Sequence, residues 1–203
     1  MNADKAAGGD TATEPGPGPR PGFSGRAVVV LAITALVAVG LDQIVKELST
    51  NGLTEGEPVR VLGGLVYLSL LRNSGAAFSL GSGYTWVFPL VTLAVIGWIT
   101  WMAVRLRSVP WAVALGLVLG GALGNLGDRL FRAPGPFQGH VVDMFSLFGP
   151  YAEYFAVFNV ADACLSVGVV LAVLLELTGR QRDGSRVART AKAGKSEKTE
   201  KTA

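Results

Sequence analysis

YFAVFNVADACLSVGVVLAVLLEL, residues Tyr154–Leu177, is an apolar run of 24 residues interrupted near its start by Asp162. A helix needs about 20 residues to cross the hydrocarbon core of a bilayer, so the stretch reads as a membrane span. A carboxylate at that depth costs roughly 2.5–3.5 kcal/mol on insertion scales, and acids inside membranes are functional by default. A second acid, Asp143, lies just upstream in the segment His140–Leu147. Two acids so placed suggest a shared proton and acid–base chemistry.

Three further apolar stretches precede this one: Ala27–Leu48, Trp86–Val104 and Trp111–Asp128. The fold expected is therefore an all-α membrane protein with four transmembrane helices. Composition agrees, with 50% hydrophobic residues, 16% charged residues and a mean hydropathy of +0.43. Soluble domains carry about 25% charged residues. The pI of 9.2 does not point to nucleic acid, because most of the basic residues lie in the tails and one short loop. A single cysteine, Cys164, excludes an internal disulfide framework and any multi-cysteine metal site. One histidine, His140, leaves too few ligands for a histidine-based zinc site. Neither a metal nor a cofactor is expected.

Residues 1–25 are rich in Gly, Pro and Ala and read as a disordered tail, as does the basic segment 179–203. Residues 26–178 form the membrane domain between them. Arg26, the following apolar core and Ala38-Val39-Gly40 also fit a cleavable secretory signal leaving Leu41 as the new start. The long preceding tail and the three later spans favour a retained first span. With the N-terminus inside, thirteen of the Lys and Arg fall on inside segments and five on outside segments, which places both termini in the cytoplasm.

On that topology the polar clusters converge on the outer side. Asp42 and Lys46, four apart on one helix face, end the first span. Asn125, Asp128 and Arg129 end the third; Asn159 and Asp162, three apart on one helix face, open the fourth; Arg72 to Ser79 leads into the second. Facing the bundle interior, such a ring lets each charge find a partner. Blander readings stand beside this one: Asp42 with Lys46 as an interfacial ion pair, and Asp128 with Arg129 as a structural clamp. His140 reads as a hydrogen-bonding group and Cys164 as a small apolar residue. Trp86, Trp101, Trp111, Tyr151 and Tyr154 read as interfacial belt residues. In the extracytoplasmic β segment, about 57–80, Pro58–Leu62 and Leu65–Leu71 around Gly63-Gly64 predict two short strands and a turn. They read either as a cradle for an extended peptide or as a purely structural hairpin.

Five motifs stand in one order: Asp42-Gln43-Ile44-Val45-Lys46, Arg72-Asn73-Ser74-Gly75-Ala76-Ala77-Phe78, Gly124-Asn125-Leu126-Gly127-Asp128-Arg129, Gly139-His140-Val141-Val142-Asp143 and Phe158-Asn159-Val160-Ala161-Asp162. In this order, and on four spans, they resemble the prolipoprotein signal peptidases (signal peptidase II) over about residues 27–177. The resemblance implies an aspartic intramembrane endopeptidase of the bacterial cytoplasmic (inner) membrane, with a small extracytoplasmic β-sheet cradle. Such an enzyme removes signal peptides from diacylglyceryl-modified prolipoproteins, cutting before the lipidated cysteine. It assigns catalysis to Asp143 and Asp162, with Asn73, Gly75, Asn125, Arg129, Asn159 and Ala161 around the site. Asp42, Lys46 and Asp128 are supporting groups. It also implies inhibition by globomycin-type cyclic peptides and contact with membrane lipid. Gly127 and Met144 depart from the bulkier residues usual in the family. Which aspartate holds the shared proton stays open. So do the rival readings of a proton-coupled transporter, a metal-dependent lipid-headgroup transferase and a non-enzymatic membrane scaffold.

Overall fold

The computed structural model describes residues 25–75 and 86–186. Most of the N-terminal tail, the Ala76–Ser79 approach to the second span, and residues 187–203 of the basic tail lie outside the described residues. Helix α1 is Gly25–Gly52, strand β1 Val59–Val61 and strand β2 Val66–Asn73, with a short 3-10 turn at Leu62–Gly64. Helix α2 is Val87–Ala103, α3 Val109–Phe131, strand β3 Val141–Leu147 and α4 Val160–Leu177. Three helices, α1, α3 and α4, are long and apolar enough to cross a membrane. Helix α2 is apolar but shorter, at 17 residues. The fold is mostly helical, with a small three-stranded sheet beside the helices.

Helix α3 is the centre, with α1 and α4 packed along it. In lipid no hydrophobic force pulls apolar helices together, so close van der Waals approach and polar contacts must do so. Small residues on α3 permit that approach. A Cβ at Gly116 would stand 2.8 Å from the Leu31 carbonyl oxygen, and one at Gly120 would stand 2.6 Å from the Ala38 Cβ. From the other side, a Cβ at Gly168 of α4 would meet the Ala114 carbonyl oxygen of α3 at 2.8 Å. Large side chains are turned away from these seams: Val29, Ile33, Leu36, Val37 and Ile44 of α1 are exposed on the face that lipid would cover.

The strands expected on either side of Gly63-Gly64 form an antiparallel hairpin, with Val59 opposite Leu68 and Val61 opposite Val66. Gly63 takes a φ of 68°, a left-handed turn conformation that glycine adopts without a Cβ penalty. The third strand is a finding beyond the sequence reading. Segment 141–147 pairs antiparallel with β2, with Leu71 opposite Asp143 and Asn73 opposite Val141. A bulge sets Ser69 and Leu70 against Met144 alone, and such bulges re-aim neighbouring side chains. Leu70, Val142 and Met144 form a buried cluster. The departure at Met144 thus falls on packing behind the strand.

The fourth helix corrects the span expected over Tyr154–Leu177. It begins at Val160, because Asn159 ends the extended chain and caps the helix. Phe158 before it pairs with Phe145 through two backbone hydrogen bonds of 2.9 Å. Trp111, expected in an interfacial belt, is instead buried, and its indole N–H donates to the Arg180 carbonyl at 2.8 Å. Trp86, Trp101, Tyr151 and Tyr154 are exposed.

Gly120→Val should destabilise the bundle by about 1–3 kcal/mol, as overpacking in a close-packed seam does. Gly127→Ala should be neutral or stabilising by up to about 1 kcal/mol, because a Cβ at Gly127 meets only the Gln43 Nε2 at 4.0 Å. Thermal unfolding of the two purified variants in detergent checks both signs.

Candidate active site

Asn159 organises the site. At the N-cap of α4 its side-chain oxygen accepts from the Asp162 N–H at 2.9 Å, and Asp162 Oδ2 accepts from the Asn159 N–H at 3.1 Å. The three-residue spacing that sequence reading assigned to a shared helix face is thus a reciprocal capping box. The same Asn159 donates through Nδ2 to Asp143 Oδ1 at 2.7 Å. One asparagine therefore touches both carboxylates, holding Asp143 on β3 against Asp162 on α4.

Each acid has a second amide donor. Asn73, at the end of β2, donates to Asp143 Oδ2 at 3.0 Å, while its own oxygen accepts from the Gly75 N–H at 2.9 Å. Asn125 of α3 donates to Asp162 Oδ1 at 2.8 Å. Both acids line one cavity of about 600 Å³, together with Asn73, Gly75, Asn125 and Arg129. Its walls are otherwise largely apolar, with Leu147, Val157, Phe155 and Phe158 among them. Burial, reinforced by the nearby Asp162 charge, pushes the Asp143 carboxyl up to about 7.

Arg129 reaches the cavity from α3, donating to the Gly139 carbonyl at 3.2 Å and, through a short contact, to the Gly75 carbonyl. It ties the segment before α2 to the loop before β3. Asp128, its neighbour, points elsewhere. Its Oδ2 accepts from the Val142 N–H of β3 at 3.2 Å and pairs with Lys46 at 2.8 Å, while Oδ1 pairs with Arg132 at 2.6 Å. The Asp128–Arg129 pair is thus divided between supporting β3 and lining the cavity.

Lys46 is fully buried and contacts Asp42 at 2.8 Å, Asp128 at 2.8 Å and Asn125 at 3.1 Å. Asp42 in turn accepts the Ala161 N–H at 2.9 Å, fixing the first turn of α4. Ala161 itself is fully buried, and a Cβ at Gly124 would stand only 3.2 Å from the Ala161 Cβ. All the residues expected at the site therefore belong to one connected network. Arg132, Gln43 and Thr92 were not anticipated. Arg132 carried a signal, since it lies four residues after Asp128 on the same helix. Gln43 bonds Asp42 and the Gly124 carbonyl, and Thr92 lines the cavity from α2. Gln43 stands inside the Asp42–Lys46 motif without a role assigned to it, and nothing in its local sequence marks Thr92.

The sequence profile of the Signal peptidase (SPase) II family matches residues 34–178. The chain belongs to the signal peptidase II family. It is 48% identical over 160 residues to a lipoprotein signal peptidase of Leifsonia xyli subsp. xyli, covering 79% of this chain and 72% of that protein. It is 45% identical over 186 residues to one from Mycolicibacterium smegmatis, covering 88% and 77%. A solved bacterial membrane enzyme, 28% identical, superposes with a TM-score of 0.62 over 77% of this chain and 95% of its own. Another, 24% identical, shares the fold with a TM-score of 0.65 over 88% and 97%. As a member of this family the protein is a membrane enzyme, an aspartic peptidase that removes signal peptides from prolipoproteins.

Lys46→Met should leave the Asp42 carboxylate buried without a cation and Asp128 with Arg132 alone, and cost about 3–5 kcal/mol. A midpoint of thermal unfolding within a few degrees of the wild type would contradict that.

Proposed function

We propose that Asp143 and Asp162 are the catalytic pair of this peptidase and that the cavity they share receives the signal peptide. The observation that carries the proposal is that both carboxylates line one cavity and are bridged by a single asparagine. Two acids so close do not both ionise cheaply in a low-dielectric site, so one proton serves the pair. Burial raises Asp143, which makes it the proton holder near neutral pH. Asp162, partly exposed to the cavity at the start of α4, is the base.

In the proposed reaction Asp162 takes a proton from a water as that water attacks the scissile carbonyl carbon. Asp143 donates its proton toward the carbonyl oxygen, so the tetrahedral intermediate forms as a neutral gem-diol. Collapse breaks the carbon–nitrogen bond: the proton gained by Asp162 passes to the leaving amine, and a gem-diol hydroxyl returns its proton to Asp143 as the carboxyl product forms. Asn73, Asn125 and Asn159 hold the two carboxyl groups in register throughout.

The substrates are prolipoproteins carrying diacylglycerol on the cysteine that follows the cut. The largely apolar cavity wall suits a lipid-modified peptide, and the bilayer would hold the cysteine at the depth of the acids. The full topology we propose has α2 as a fourth span, with both termini on the cytoplasmic side of the bacterial inner membrane. The bias of Lys and Arg supports it. Globomycin-type cyclic peptides would compete for the same cavity.

Asp143→Asn and Asp162→Asn should each insert and fold yet cleave a diacylglyceryl-modified prolipoprotein at no more than about a thousandth of the wild-type rate. Substantial turnover by either purified variant, or loss of wild-type activity in chelator, would refute the assignment. The raised Asp143 carboxyl keeps its proton below its pKa and loses it above, so kcat/KM should decline as pH rises through about 7. A profile flat from about pH 6 to about pH 9 would remove Asp143 as the proton donor.

A further inference from the structure

The end of the bundle opposite the carboxylates carries a second built cavity. After α4, residues 178–186 fold back as a strap across the α2–α3 connection. The Arg107 and Ser108 N–H groups both donate to the Arg182 carbonyl, at 2.9 and 3.0 Å, and Arg180 and Arg186 face each other as an antiparallel bridge. The Arg182 guanidinium lies 5.2 Å from the Trp111 ring centroid, clamping the strap onto α3. Between strap and helix lies a cavity of about 390 Å³ lined by Ser108, Val109, Pro110, Arg180, Ser185 and Arg186, among others.

Three features make this cavity suited to an anion. It sits on the N-terminus of a 23-residue helix, where the Val109 and Trp111 N–H groups lack helical acceptors, Pro110 between them has no N–H, and the dipole favours negative charge. Ser108 occupies the N-cap, yet its hydroxyl makes no capping bond. That residue is only 9% exposed, lines the cavity, and has no hydrogen-bond partner for its hydroxyl among the described residues. An N-cap serine ordinarily satisfies an N2 or N3 amide, so this hydroxyl is left available to a ligand. Finally, the lining includes Arg180 and Arg186 and no acid. The nearby acids are engaged: Asp183 accepts from the Ser185 N–H at 2.8 Å and hydroxyl at 2.7 Å, and Glu176 pairs with Arg182 at 3.7 Å.

We propose that this cavity is a phosphate-recognition site, in which Arg180 and Arg186 supply charge and Ser108 with the α3 N-terminus supplies hydrogen bonds. Its position at the end of membrane-crossing helices puts it at headgroup depth, so an anionic phospholipid is the ligand source best placed to fill it. Exposed Trp101, with Arg105 at 5.5 Å from its ring centroid, marks the same level as interfacial. The site lies about 25 Å along α3 from Asn125, and nothing in it depends on the cleavage chemistry.

The test uses the full chain in a phosphate-free detergent, with binding read by native mass spectrometry. Three probes are titrated: short-chain phosphatidylglycerol, short-chain phosphatidylcholine and inorganic phosphate. The wild type should bind phosphatidylglycerol more tightly than phosphatidylcholine. Arg180→Gln with Arg186→Gln should weaken phosphatidylglycerol about tenfold or more, with thermal unfolding and cleavage rate unchanged. Ser108→Ala, which keeps the backbone bonds that hold the strap, should weaken it by a smaller factor and reads the site independently if the double variant misfolds. Competition by inorganic phosphate would assign the site to the phosphate group itself, whereas phosphatidylglycerol binding without such competition would assign it to a lipid headgroup. Equal binding of the two lipids with no binding of phosphate, or unchanged phosphatidylglycerol affinity in both variants, would overturn the proposal.

Discussion

One buried ammonium group holds this structure together. Lys46 joins two carboxylates and one amide, and those partners reach every part of the site. Asp42 fixes the first turn of α4 through the Ala161 N–H, Asp128 fixes β3 through the Val142 N–H, and Asn125 reaches Asp162. Burying a cation between two anions is expensive unless all are satisfied together. Here Arg132 supplies a second cation to Asp128, and Gln43 a further donor to Asp42. In a membrane no water repairs a missing bond, so the network must be internally complete. Its completeness converts a cluster of charges into a rigid link between α1, α3, α4 and the sheet.

On that frame the two acids receive different surroundings. Asp143 comes from a strand and is almost fully enclosed, its oxygens met by two neutral amides. Asp162 comes from a helix N-terminus and is partly open to the cavity. Environments that push two neighbouring carboxyl groups apart are the usual route to separate acid and base roles. Since Asn159 touches both, any shift of α4 relative to β3 changes both acids together.

The two ends of α3 meet different surroundings. At its C-terminal end charges are buried, paired and shielded from lipid. At its N-terminal end the arginines of the strap are exposed, and one guanidinium is stacked on an indole. The strap depends on Trp111, whose N–H and ring are both committed to it. A tryptophan read from sequence as an interfacial anchor therefore closes the helical bundle at that end.

Much of this was readable from residue order alone. Hydropathy placed the three helices long enough to cross a membrane because the hydrocarbon core demands a minimum apolar length, and Asp162 stood out because a charge there is costly. Helical spacing predicted the Asp42–Lys46 pair, and the Gly63-Gly64 turn predicted the hairpin, since both depend on neighbours along the chain. The three-stranded sheet did not follow, because β3 is defined by its partner, β2, some seventy residues away. Nor did the start of α4, where Phe158 prefers pairing with Phe145 to extending an apolar helix. The capping box and the shared-face reading have the same spacing, so only the backbone at Asn159 separates them. Local periodicity determined which polar residues lie at one end of the bundle; the long-range pairing of β3 and the buried charge of Lys46 decided which of them meet.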